Sequence, residues 1–119
     1  MEWKLDDSRP IWMQLQEQLT GKILSGIYPT GEKLPSVREL ASEAGVNPNT
    51  MQRALAALDA EGLTVVNRTS GRTVTEDVSV LEGMRAVLAQ DMIERFYEEA
   101  AELGYTKEQA VELLQRRTR

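Results

Sequence analysis

The 119-residue chain contains no cysteine and no histidine. The first absence excludes disulfides, thiolate metal sites and cysteine nucleophiles. The second removes the commonest metal ligand and the commonest general base. Aromatic residues are scarce, and Trp3, Trp12, Tyr28 and Tyr105 read as packing residues rather than a ligand cage. No apolar run approaches the roughly 20 residues that a membrane helix needs. The start, Met1-Glu2-Trp3-Lys4, lacks the charged-then-apolar layout of a secretory signal. The expectation is a cytoplasmic protein with no metal, no cofactor and no membrane partner. Catalysis is hard to build from what remains: Asp6 and Asp7 form a carboxylate pair, but in an N-terminal leader with no visible partner.

Positive charge is also in short supply. Lys plus Arg number 14 against 19 Asp plus Glu, a net charge of -5. A nucleic-acid binder usually carries a basic excess, and the acidic balance favours the alternative of a protein-interaction module. Net charge is a blunt measure, however, because screening acts over about 8 Å at physiological salt. Residues 47–53 hold Arg53 and no acid, and residues 67–72 hold Arg68 and Arg72 and no acid. The acids Glu94, Glu98, Glu99 and Glu102 gather toward the C-terminus.

What is present is a clear sequence of elements. Ser8-Arg9-Pro10 reads as a helix start, with Ser8 as cap and Pro10 in the first turn. Ile11, Leu15, Leu19 and Ile23 then share one helical face, and Gly26 terminates the helix. Residues 27–35 are turn-rich. Ser36 and Glu39 have capping-box spacing ahead of a short helix with Val37, Leu40, Ala41 and Ala44 inward, ended by Gly45. Asn47-Pro48 opens a third helix with Met51, Ala54, Leu55 and Leu58 inward, stopped by Gly62. Two short helices joined at Gly45-Val46-Asn47 make a helix-turn-helix. Residues 63–66 and 72–75 are strand-like around the turn Thr69-Ser70-Gly71, which predicts a hairpin, or wing. Glu76-Asp77 marks a boundary. Beyond it, Leu81, Met84, Leu88, Met92, Phe96, Ala100 and Leu103 step by three and four along a long helix ended by Gly104. Thr106 and Gln109 cap a last helix with Ala110, Val111 and Leu114 inward, and the end from Arg116 to Arg119 reads as frayed.

The predicted fold is mainly α with a small β-hairpin: a winged helix-turn-helix over residues 1–77, then a two-helix C-terminal dimerisation segment over residues 78–119. Within that frame Pro10-Ile11-Trp12, Gln14-Leu15 and the run from Gly26 to Ala41, then Val46 to Ala54 and Leu58 to Leu63, resemble the DNA-binding domain of the GntR family of transcriptional regulators. The similarity runs over residues 9–77. The family wing reads Gly-x-Gly-Thr-Phe-Val, whereas Thr69-Ser70-Gly71-Arg72-Thr73-Val74 stands here, so one glycine is lost and an arginine gained. Only 42 residues follow the wing (119 − 77). That length is similar to the small YtrA-type branch, in which two C-terminal helices build the dimer.

The resemblance implies a homodimeric regulator, of repressor type, that binds double-stranded DNA at a palindromic operator, with transporter operons as the suggested target. It says nothing about a small-molecule effector. It implies DNA contacts at Ser36 and Arg38; at Asn47, Pro48, Asn49, Thr50, Gln52 and Arg53; and at the wing residues Arg68, Thr69, Ser70, Gly71 and Arg72. Read on chemistry alone, arginine suits phosphate or guanine, glutamine a base edge, and a helix N-terminus phosphate. Asn47 also reads as a plain N-cap, and Arg53 as the partner either of phosphate or of an acid in its own domain. The apolar stripe of Leu81, Met84, Leu88, Met92, Phe96 and Leu103, with Val111 and Leu114, is the expected dimer interface, because such surface seldom stays open to water.

Overall fold

The structure, a computed structural model, describes residues 3–118. The readings made at Met1-Glu2 and at Arg119 fall outside the described residues. The elements run α1 (Ile11–Leu24), α2 (Val37–Ala44), α3 (Pro48–Ala60), β1 (Thr64–Asn67), β2 (Gly71–Val74), α4 (Val78–Glu102) and α5 (Lys107–Thr118). The chain divides into two compact units, one reaching to Leu81 and the other starting at Glu82.

The first unit is a three-helix core with a hairpin. Leu15 and Leu19 of α1, Leu40 of α2, and Met51, Leu55 and Leu58 of α3 are fully buried together with Leu63 and Val74. The periods of three and four that place these residues on inward faces are what drive the three helices onto one another. At the start of α2 the capping box forms: the Ser36 hydroxyl accepts from the Glu39 N–H, and the Glu39 carboxylate accepts from the Ser36 N–H. Gly45 then ends α2 in the left-handed conformation, at φ 70°, where a side chain would be strained.

The N-terminal leader departs from expectation. Ser8 does not cap α1; Pro10 occupies the cap position and makes no side-chain cap bond. Ser8 instead closes an Asx turn, its N–H donating to Asp6 Oδ1 at 2.9 Å and its hydroxyl bonding the same oxygen. Nor is the leader without partners. Gln14, buried on α1, accepts from the Asp6 N–H and donates to the carbonyls of Asp6 and Arg9. Gln18 likewise bonds both the N–H and the carbonyl of Lys4. This strap puts the Trp3 ring on Lys22, whose Nζ sits 3.3 Å from the ring centroid. Burial pushes the pKa of Lys22 down.

The hairpin pairs Thr64 with Val74, Val65 with Thr73, Val66 with Arg72 and Asn67 with Gly71. The turn-rich segment before α2 lies along the free edge of β2. Gly31 N–H donates to the Val74 carbonyl, Val74 N–H to the Glu32 carbonyl, and Leu34 N–H to the Arg72 carbonyl. Its proline- and glycine-rich composition hid this strand-like role from periodicity.

In the second unit, Gly104 takes φ 90° between the helices, and Thr106 and Gln109 form a reciprocal cap at the start of α5. α5 stays helical through Arg116, Arg117 and Thr118, within the stretch expected to fray. Among the described residues from Glu82 onward only Ala100 and Ala110 are buried. The large apolar side chains are therefore not consumed by the packing of α4 on α5.

Candidate nucleic-acid interface

The face of α3 opposite its buried stripe carries Asn49, Gln52, Arg53 and Ala56, all exposed. These positions follow the helical period from the N-terminus, so one side of α3 presents amide, guanidinium and methyl groups in turn. Asn47 is the N-cap: its Oδ1 accepts from the Asn49 N–H at 2.8 Å, and Pro48 follows in the first turn. Asn47 and Pro48 are exposed and Thr50 half-buried, which leaves the positive end of the helix dipole open to an anion. Ala56 adds only a small methyl side chain to this exposed face.

Ser36 and Arg38 stand at the exposed start of α2. Among the described residues of the first unit Arg38, Arg53 and Arg68 have no acidic partner, whereas Arg9 and Arg72 are ion-paired; in the second unit Arg95 and Arg117 are unpaired and Arg85 and Arg116 paired. Uncompensated guanidinium groups on an acidic protein mark where an external anion can be taken up. Arg53 forms no ion pair with an acid of its own domain among the described residues; its guanidinium carbon lies 4.4 Å from the centroid of the Trp12 ring.

The wing corrects the reading of Arg72. The tip consists of Arg68, Thr69 and Ser70, all exposed, between the paired residues Asn67 and Gly71. Arg72 lies on β2, not at the tip, and its side chain is only 14% exposed. Its Nε and Nη2 donate to Oδ1 and Oδ2 of Asp59 at 3.0 and 2.9 Å. A guanidinium held this way inside the protein is not offered to phosphate. The alternation of strand side chains carried the signal: Val74 points into the core, so Arg72, two residues away, points to the same side.

The lost family glycine has little consequence for the turn. The left-handed conformation falls on Gly71, at φ 76°, and no described non-glycine residue has positive φ, so Thr69 occupies ordinary backbone space.

Lys33 is a further basic residue that motif reading missed. It bridges to Thr73 on the wing, and a Cβ built on Gly71 would lie 3.2 Å from its Cε. Its charge also helps to lower the pKa of Glu39, in the first turn of α2. Lys33 therefore lies between the wing and the turn that carries Arg38. Of the apolar stripe, Leu81 is buried in the first unit and is not available to a second chain. The start of α4 packs there against the α3–β1 junction, with Val80 beside Gly62. Met84 and Phe96 are half-buried, and Leu88, Met92, Leu103, Val111 and Leu114 are exposed. Met92, Ile93, Phe96, Tyr97 and Leu114 line an apolar cleft of about 330 Å³. The described residues contain no cluster of carboxylates fit to hold a metal and no helix long and apolar enough to cross a membrane.

Residues 13–74 match the family model described as bacterial regulatory proteins, gntR family. The chain is 32% identical to the HTH-type transcriptional regulator YhcF of Bacillus subtilis (strain 168), over 94% of this chain and 93% of that protein. It is 36% identical to the HTH-type transcriptional repressor YtrA of the same organism, over 71% of this chain and 67% of that protein. Among solved structures, a GntR family transcriptional regulator from Listeria monocytogenes is similar with a TM-score of 0.86 and 37% identity, covering 94% of this chain and 98% of that one.

Proposed function

Because the chain belongs to the gntR family of bacterial regulatory proteins, DNA-binding transcriptional regulators rather than enzymes, we propose that it acts as a homodimeric repressor on a palindromic operator. The observation that carries this reading is the pairing of two unlike surfaces. The first unit exposes the polar N-terminal face of α3 with the uncompensated Arg38 and Arg68. The second unit exposes an apolar row in which Met92 is 61% and Leu103 79% accessible. A row of that kind calls for a covering chain, and an identical copy covers it through a two-fold contact.

Two first units held by such a contact would set two α3 helices into major grooves one helical turn apart, each flanked by a wing on the backbone. Arg38 would reach guanine or phosphate, Gln52 a base edge, and Asn47, Asn49, Thr50 and Ser36 the phosphates beside them. Repression would follow from occupancy of promoter DNA. The relative named as a repressor supports that sign of regulation. Transporter operons remain the proposed target class. The alternative of an interaction module that leaves DNA alone is set aside by the family assignment.

The test is footprinting on DNA upstream of the protein's own gene, together with sedimentation. Protection of an inverted repeat by a species of twice the chain mass is the expected result. Protection of a single half-site by a monomer would overturn the dimeric reading.

A further inference from the structure

The Asp59–Arg72 pair joins the recognition helix to the wing. Asp59 lies in the last turn of α3, and Arg72 on β2, opposite Val66 and two residues from the buried Val74. The carboxylate takes three bonds from the hairpin: two from the Arg72 guanidinium and one from the Thr64 hydroxyl on β1. Both strands of the wing are thereby tied to one side chain of α3. The two charged groups are largely withdrawn from water, at 14% and 29% exposure, and side-on two-point contact fixes the direction as well as the distance between them. The segment before α2 also holds β2, through backbone bonds at Val74 and Arg72, but it does not join the hairpin to α3. Val65 and Val66 are exposed, as are all three tip residues, so apolar packing does not set the angle of the wing beyond Thr64 and Val74.

We infer that Asp59 and Arg72 form a latch that sets the wing against α3, so that operator affinity depends on both residues although neither touches DNA. The inference rests on the reading that α3 and the wing tip engage DNA together. A rigid angle between them matters because α3 in its groove and Arg68 on the backbone must fit one duplex at once, and each loses its contact when the other is misplaced. Asp59 is then a positioning residue, and the pair also neutralises an acid that would otherwise repel phosphate close to the recognition helix.

The latch makes a prediction opposite in sign to simple electrostatics. Asp59→Asn removes a negative charge from an acidic DNA-binding protein. If Asp59 merely restrained an arginine able to reach phosphate, the substitution would tighten binding. The latch requires the substitution to weaken it. Operator affinity is measured by fluorescence anisotropy over a salt series for the wild type, Asp59→Asn, Arg72→Ala, the double variant and Arg68→Ala. The expected result is a several-fold loss for Asp59→Asn and for Arg72→Ala, with the double variant no weaker than the worse single one. Circular dichroism establishes that each variant is folded at the assay temperature.

Amide exchange in the free protein supplies a readout independent of DNA. In Asp59→Asn, exchange should rise across residues 64–73 while α1 keeps its protection. The charge-swapped pair Asp59→Arg/Arg72→Asp keeps the attraction with its ends reversed and should recover part of the lost affinity. Binding by Asp59→Asn as tight as or tighter than the wild type would overturn the latch, as would unchanged exchange across the wing. Arg68→Ala separates the premise from the inference. A wild-type affinity for that variant removes the wing from the DNA-contacting surface, and any effect of the latch on affinity falls with it.

Discussion

Arg53 of α3 lies over the ring of Trp12 of α1, with the guanidinium carbon 4.4 Å from the ring centroid. The contact holds an arginine of α3 over an aromatic face while leaving it exposed. A cation over a ring face needs no hydrogen-bond acceptor there, so an exposed guanidinium held this way can still donate to an oxygen ligand. Trp12 also fixes which of the arginine's many rotamers is populated, and so lowers the entropy lost on binding. Trp12→Ala should weaken operator binding in the same direction as Arg53→Ala, and the double variant should be no worse than Arg53→Ala alone. Trp12→Phe should restore most of the affinity. Titrations of the four variants at one salt concentration check this.

Arg38 differs from Arg72 in having no partner of its own among the described residues. Arg38→Ala should therefore leave thermal stability unchanged and reduce specific affinity by about 1–3 kcal/mol, the value of a good bidentate base contact. The measurement is a pair of titrations, on operator DNA and on unrelated DNA of equal length. An equal loss on both would assign Arg38 to phosphate instead of a base.

The apolar cleft of the second unit gives a test of the dimer that does not touch the DNA-facing residues. Met92 lines the cleft yet is 61% exposed, so Met92→Asp should be tolerated by the folded chain. Phe96, half-buried, is a less clean probe because its loss would disturb α4 packing as well. A specific interface buries more than about 1,000 Å² in total, and an unpaired charge at its centre is costly. Met92→Asp should sediment as a monomer with a normal helical spectrum. Operator affinity should collapse, because the gain from linking two half-sites is lost.

Stability should respond to acid and be flat near neutrality. Three carboxylates are held below their ordinary pKa range by local hydrogen bonds: Asp6 by the hydroxyl and N–H of Ser8, Glu39 by the N–H of Ser36, and Asp77 by the hydroxyl and N–H of Ser79. A folded-state pKa below the unfolded one means that the contribution is fully present above the unfolded value and lost as pH falls through the folded value. The thermal midpoint should hold level from about pH 5 to 8, since no histidine titrates there, and fall below the ordinary carboxylate range. Glu39→Gln keeps a side-chain acceptor in the capping box but removes one titrating group. Its melting curve should depend less steeply on pH in the acid range. An identical acid limb for the two proteins would show that the capping carboxylate is not linked to folding.

Much of this molecule was decided locally. Caps and stops belong to neighbouring residues, so Ser36 with Glu39, Asn47 with Pro48, Gly45, Gly62 and the Thr106–Gln109 box were legible from spacing alone, as was the inward stripe of α3. The exposed residues of the recognition helix follow from the same stripe, since whatever is opposite Met51, Leu55 and Leu58 must face out. Contacts between elements were not legible, because they depend on which surfaces meet. The spacing of the N-terminal leader shows no partner for it, yet Gln14 and Gln18, five to fourteen residues away in sequence but across a bend in space, tie it down. Leu81 has the same helical phase as the residues that follow it, yet the packing of the first turn of α4 against the α3–β1 junction buries it in the first unit. Arg68 and Arg72 look equivalent as letters four apart. Only the pleat of β2 and the position of Asp59, thirteen residues before Arg72, turn one toward solvent and the other into an ion pair: charge is a property of the residue, but its availability is a property of the fold.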